Sequence, residues 1–143
     1  MSIVIRKALP EDSARIARIS CDAMGYPCSE ELVRHRLIQL DENREVVFVA
    51  LCEGDAVGYI HAQVYDLLYF ERHVNILGLA VDEDYRRLGI GRLLLQSMEN
   101  WAKECGAVGV RLNSGESRHE AHEFYRAAGY TSEKKQLRFL KMF

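Results

Sequence analysis

The chain is short of the features that mark most specialised protein classes. Its four cysteines, Cys21, Cys28, Cys52 and Cys105, include no Cys-x-x-Cys pair, so reduced, packed thiols are expected rather than a zinc knuckle or a disulfide scaffold. Five histidines are scattered, and although His119 and His122 have helical spacing, no further ligand pattern accompanies them. No metal is expected. No apolar run approaches the length that crosses a bilayer, and residues 1–6 lack the basic start and long apolar middle of a secretory signal, so a cytoplasmic location and no membrane partner are expected. The formal net charge is only -2, with basic residues dispersed, which gives no electrostatic case for a nucleic-acid partner. Repeats, linkers and low-complexity tracts are absent as well.

What remains is the composition of a soluble globular protein, 48% hydrophobic and 28% charged over 143 residues. That length suits a single domain, 1–143, burying about two-thirds of its unfolded surface. Residues 2–9 alternate as a first strand, and Pro10 suits a first helical turn. Ile16, Ile19 and Ala23 make a helical stripe that Gly25-Tyr26-Pro27 interrupts. Ser29 can cap a second helix whose inner side is Leu32, Val33, Leu37 and Leu40. Residues 46–51 read as a buried strand, Glu53-Gly54-Asp55 as a hairpin turn, and 57–64 as its antiparallel partner. A strand over 73–81 follows, and then a helix with Ile90, Leu93, Leu94, Ser97, Met98, Trp101 and Cys105 on one face. Gly106 ends that helix, 108–112 supply another strand, and a short helix runs from about Arg118 to Ala128. Tyr130-Thr131 and 137–143 read as final strands joined by a turn over 133–136. Strands and helices in this order argue for a mixed α+β sheet around one core.

The most informative stretch is Arg86-Arg87-Leu88-Gly89-Ile90-Gly91-Arg92, between the apolar strand and the amphipathic helix. Glycines there let an anion reach the backbone, and the first amides of the helix have no internal acceptor. A phosphate-binding NTPase loop would need Lys-Ser or Lys-Thr after its last glycine, where Arg92-Leu93 stands. A dinucleotide-binding loop would need a small residue at Leu94 and a carboxylate about twenty residues on. Residues 108–112 offer none. Arg-x-x-Gly-x-Gly after Leu79-Ala80-Val81-Asp82-Glu83-Asp84-Tyr85 instead resembles the coenzyme A loop of the GNAT superfamily of N-acetyltransferases. The later Ala121-x-x-Phe124-Tyr125-x-x-x-Gly129-Tyr130 resembles a helix of the same family, at the expected distance.

The resemblance implies a mixed, mostly antiparallel sheet, splayed between its fourth and fifth strands and flanked by about four helices. It also implies acetyl-CoA as cosubstrate and a primary amine as acceptor, joined by direct attack in a ternary complex, since no cysteine occupies a nucleophile position. The cosubstrate would lie along Leu79, Ala80 and Val81, as if it were an added strand, and over Arg86, Arg87, Leu88, Gly89, Ile90, Gly91 and Arg92. Asn113 would touch it beyond the splay, or else bond its own backbone in a turn. Tyr125 matches the family's proton donor to the leaving sulfur, and its face of the helix also suits a packed aromatic. The family's frequent base position, six residues before Val81, holds Asn75, which cannot accept a proton; His73, His61, Glu71, water or no base remain open. Arg118 stands where the family often has a cofactor-binding asparagine, and His122 lies three residues before Tyr125. Tyr26 and Asn75 are candidate acceptor contacts, with Tyr69 a possible further wall and Glu30, Glu31, Asp66 and Glu71 able to attract a cation. A homodimer through the terminal strands is compatible with the family, and a non-catalytic acyl-CoA-binding sensor is the alternative to an enzyme.

Overall fold

A computed structural model describes residues 2–132 and 134–143. Two compact units are distinguished, Met1–Leu112 and Asn113–Phe143. The first contains β1 (Ile3–Lys7), α1 (Ser13–Met24), α2 (Glu30–Ile38), β2 (Glu45–Cys52), β3 (Asp55–Tyr65), β4 (His73–Val81), α3 (Ile90–Glu104) and β5 (Gly109–Arg111); the second contains α4 (His119–Ala127). The strands form one sheet in the order β1-β2-β3-β4-β5. Neighbours are antiparallel except β4 and β5, which are parallel and paired only over His73–Gly109, Val74–Val110 and Asn75–Arg111. The mixed, mostly antiparallel five-stranded sheet is therefore present, with three α-helices in its own unit and a fourth in the second, and β4 runs six residues past its last β5 partner.

Glu53 and Gly54, with φ of 51° and 87°, form the tight β2–β3 turn, whose left-handed residues match the twist of the flanking strands. Each face of the sheet then receives its own helices. Tyr59 points to α1, where its hydroxyl donates to Ser20 Oγ at 2.7 Å and Ser20 donates onward to the Ile16 carbonyl at 2.8 Å. Burial pushes the Tyr59 hydroxyl above its ordinary value, against the lowering effect of the Ser20 bond. The adjacent Gly58 faces the other way, where a Cβ would stand 3.3 Å from Leu94 of α3. Alternation thus puts α1 and α3 on opposite faces. Ile16, Ile19, Val47, Val49, Tyr59 and Ala80 make the α1-side core.

Some expected details change. In α3 the buried residues are Ile90, Leu94, Leu95, Met98, Trp101 and Ala102, while Leu93 is 39% exposed, so the inner face is rotated by about one residue from the expected one. Helix α2 is capped by Ser29, which accepts from the Leu32 amide at 3.1 Å. It contains no buried residue, and Leu32 is exposed. The expected strand over 108–112 is shortened to Gly109–Arg111. The final strands at Tyr130-Thr131 and 137–143 are corrected: no strand is formed there among the described residues. Alternating apolar residues make a strand only when a neighbour supplies the ladder. The expected turn over 133–136 includes Glu133, which, like Met1, lies outside the described residues. Leu137, Phe139, Leu140, Met142 and Phe143 are instead highly exposed.

Asp12, at the entry to α1, is buried and accepts two bonds from Arg6, at 2.7 and 3.0 Å, and one from the Leu9 amide at 2.7 Å. Burial opposes its ionisation, but these bonds and the Arg6 charge outweigh it and hold the carboxyl below its ordinary 3.8. Asp12→Ala should cost about 3 kcal/mol, because it leaves a half-buried guanidinium and an amide without their acceptor. A depressed carboxyl stabilises the fold above its unfolded pKa and loses that contribution as pH falls through the folded one. The gap between wild type and Asp12→Ala in chemical denaturation should therefore be full above pH 3.8 and close progressively below it.

Candidate active site

At the end of β4 the chain makes a short turn, Glu83–Tyr85, in which Asp82 accepts from the Asp84 amide at 3.0 Å. Arg86 is extended and its Nε reaches back to the Val81 carbonyl at 3.5 Å. Arg87 and Gly89 then both turn left-handed, with φ of 66° and 78°. Gly89 is the N-cap of α3 and, having no side chain, makes no capping bond. The Leu93 amide bonds to the Gly89 carbonyl at 3.1 Å, and helix geometry leaves the amides of Ile90 and Gly91 without an intrahelical acceptor. A Cβ placed on Gly89 would meet nothing within 4 Å. Arg86, Arg87, Leu88 and Arg92 are exposed around this opening, whereas Ile90 is anchored in the core at 1% exposure. The result is a backbone-lined opening at the positive end of a helix, bordered by three arginines, an arrangement whose chemistry suits an anion.

Leu79, Ala80 and Val81 lie on the part of β4 beyond its β5 pairing. Their outer edge has no strand partner among the described residues, so an extended chain can add there. Just before them β4 contains an extra residue. His61 pairs with Gly78 but Ala62 with Ile76, so Leu77 is a bulge. Gly78 lies beneath Tyr59, whose hydroxyl would be 3.6 Å from a Cβ at that position. Tyr59 and its hydrogen-bond partner Ser20 were not among the sequence candidates.

The same face carries a strip of polar side chains where the α1-side core ends. Asn75 accepts from Arg111 Nη1, and the Arg111 guanidinium lies 4.7 Å from the centre of the Tyr65 ring. Holding Oδ1 to arginine turns the Asn75 amide nitrogen elsewhere and leaves the residue a donor. His61 Nε2 lies 2.9 Å from Glu45 Oε1, both side chains 31% exposed. His73 differs: its Nδ1 donates to the Glu71 carbonyl at 2.8 Å and its ring packs over Gly109, where a Cβ would come within 3.2 Å. Glu71 itself is exposed. Arg111 had a sequence signal, a charge inside an apolar run. Glu45 had none.

The acceptor-wall candidates are dispersed. Tyr26 and Tyr69 are 65% and 77% exposed. Asp66, expected to attract a cation, is already clamped by Arg72 at 2.9 Å through both oxygens and by Arg44 at 3.3 Å, and the arginine bonds hold its carboxyl below the ordinary value.

In the second unit Asn113 is exposed at the start. His122 Nε2 donates to the Gly115 carbonyl at 2.8 Å and its ring meets His119 at 5.8 Å. Gly129, at φ 94°, closes α4, with the Gly129 amide bonded to the Arg126 carbonyl and the Tyr130 amide to that of Tyr125, the two-bond pattern of a glycine-terminated helix. The Tyr125 ring packs edge-on against Phe124 and Tyr130, at 5.1 and 5.6 Å. Burial pushes its hydroxyl above the ordinary value of 10, opposed by the Arg118 charge. Among the described residues no three His, Cys, Asp or Glu side chains are grouped to hold a metal ion, and no helix is long and apolar enough to cross a membrane.

Comparison with known proteins gives the family. The chain is 30% identical over 135 residues to an uncharacterized N-acetyltransferase of Chlorobaculum tepidum, covering 92% of this chain and 77% of that protein. It is 35% identical over 99 residues to an N-alpha-acetyltransferase of Sulfurisphaera tokodaii, 64% of this chain and 59% of the relative, and so matches less than two-thirds of that protein's length. An aminoglycoside acetyltransferase from an uncultured soil metagenomic sample, crystallised in complex with trehalose, superposes with a TM-score of 0.82 at 25% identity, over 99% of this chain and 96% of that one. The sequence pattern of the Acetyltransferase (GNAT) family matches residues 13–130, and the chain belongs to that family.

Proposed function

We propose that the chain is an enzyme that transfers the acetyl group of acetyl-CoA to a primary amine by direct attack in a ternary complex. The observation that carries this reading is the side-chain-free N-cap at Gly89, opening at the end of the strand whose outer edge is left without a strand partner beyond Asn75. Bound acetyl-CoA supplies an activated thioester. The amides of the Gly89 turn hold its pyrophosphate, with Arg86, Arg87 and Arg92 supplying positive potential. Backbone groups of Leu79, Ala80 and Val81 bind the pantetheine arm, and an amide there stabilises the negative oxygen that develops during attack. Asn113 adds a polar contact to the cosubstrate. Tyr125 donates a proton to the departing sulfur, and Tyr26 and Asn75 contact the acceptor. Both units serve one acetyltransferase domain, working in the cytoplasm on a small-molecule or peptide amine, with neither nucleic acid nor membrane as partner. The exposed apolar residues of 137–143 support a homodimer, in which a second copy covers them.

The reading is tested by acetyl-CoA turnover across a panel of amines, reading released thiol and confirming the acetylated product by mass. Polyamines and aminoglycosides enter the panel first, in view of the aminoglycoside acetyltransferase likeness, followed by amino acids and peptides. At least one primary amine is expected to accelerate thiol release far above background hydrolysis. Saturable acetyl-CoA binding with no turnover on any amine would identify a sensor module instead.

A further inference from the structure

We propose that His61, oriented by Glu45, is the group that takes the proton from the acceptor amine. The inference rests on the acetyltransferase reading and answers what replaces a carboxylate at Asn75. His61 faces the α1 side of the sheet, as Tyr59 does two residues earlier, and its cross-strand partner is Gly78. Cross-strand neighbours stand about 5 Å apart, so the His61 backbone lies beside the bulge at Leu77 and one residue from the start of the Leu79–Val81 edge, with Nε2 turned toward Glu45 of β2. Gly78 presents no side chain of its own to that face.

The Glu45 bond determines which nitrogen works. A carboxylate accepts, so Nε2 carries hydrogen and donates to Glu45 Oε1 at 2.9 Å, leaving the lone pair on Nδ1. The other histidine on this part of the sheet is arranged the opposite way, with Nδ1 of His73 committed to the Glu71 carbonyl. The pair at His61 is half-exposed, as a site that receives a soluble amine and returns its proton to water requires.

The proton balance is complete with the two substrates and water. The acceptor ammonium gives one proton to Nδ1, and its freed lone pair forms the bond to the acetyl carbon. The carbon–sulfur bond breaks with its electron pair on sulfur. Of the three protons on the original ammonium, one remains on the amide, one is matched by the proton that sulfur acquires, and one passes through His61 to solvent.

The test uses the full chain, with His61→Gln, His61→Ala and Glu45→Gln compared on two acceptors of similar shape. One acceptor is an alkylamine that is fully protonated at the assay pH, the other a fluorinated amine that is already neutral. For the protonated amine kcat should fall about 100-fold in both His61 variants and about 10-fold in Glu45→Gln. The neutral amine should lose less than about 3-fold, since it has no proton to surrender before attack, and free imidazole should restore part of the His61→Ala rate. Thermal stabilisation by acetyl-CoA should match wild type in each variant. Equal losses on both amines, or no loss on the protonated one, would overturn the assignment, and His61→Gln decides the matter should the alanine variant fail to fold. Failure of the wild type on every amine would count against the enzyme reading itself, a separate result from wild-type turnover that His61 does not affect.

Discussion

Tyr125→Phe should lower kcat by a factor on the order of a hundred while leaving acetyl-CoA affinity nearly unchanged. The substitution keeps the ring, and with it the contacts to Phe124 and Tyr130, and removes only the hydroxyl. If that hydroxyl merely completes a packed aromatic cluster, its loss costs about 1 kcal/mol of stability and little turnover. If it protonates the departing sulfur, the missing interaction matters as charge develops there, so kcat and kcat/KM fall together. Burial holds the hydroxyl above its ordinary value of 10. The proton is therefore present throughout the neutral range, and a rate limited by this donor should decline only above that value. Single-turnover measurement isolates the chemical step, and wild-type turnover in the folded variant would reduce Tyr125 to a core aromatic.

Gly89→Val should abolish detectable acetyl-CoA binding in a chain that still folds. Nothing lies within 4 Å of a Cβ at this position, so the first side-chain atom has open space. It stands in the mouth of the turn, where the pyrophosphate is to approach the amides. The positive φ adds strain of about 1–3 kcal/mol for a branched residue. Arg87→Ala is the informative contrast, since it removes a charge from a residue already at φ 66° and leaves the backbone path as it was. At a hundred times its Kd, a ligand stabilises the fold by about 2.7 kcal/mol. That thermal shift should vanish in Gly89→Val, be strongly reduced in Gly91→Val and survive largely in Arg87→Ala. An unchanged shift in both glycine variants would remove the turn from the site.

How legible the fold was depended on whether a feature is local. The C-terminal limit of the strand His73–Val81 was legible because the apolar run Ile76–Val81 meets an acidic turn at Asp82. The inner face of α3 was misread because Leu93-Leu94-Leu95 offers an apolar residue to any of three helix phases, and only the packing partners choose among them. The final strands failed for a different reason: period two is intrinsic to the chain, but pairing is not. Glu45 and His61 show the limit most clearly. Counting back from the tight turn without a bulge would set Glu45 opposite Ala62, putting His61 on the other face of the sheet. The irregularity between Ala50 and Leu51, where Val57 is an extra residue of β3, moves Glu45 opposite Gln63 and brings it to the His61 side. The loop glycines needed no such knowledge, since their spacing carries the backbone requirement directly.

The extra residue at Leu77 gives β4 two frames of alternation. Before it the odd-numbered residues, His73 and Asn75, face α1; after it the even-numbered residues, Gly78 and Ala80, do so. Parity rather than residue type thus decides what borders the open edge. Flattening the bulge with residue 77 retained would preserve the composition of the strand, yet it would turn Leu79 toward the Tyr59 side and send Ala80 to the opposite one, whereas loss of residue 77 itself would leave both facing as they do. The β4 segment is therefore tolerant of exchange between similar apolar residues but intolerant of a one-residue insertion or deletion within Leu79–Val81, which would separate a folded sheet from a working one.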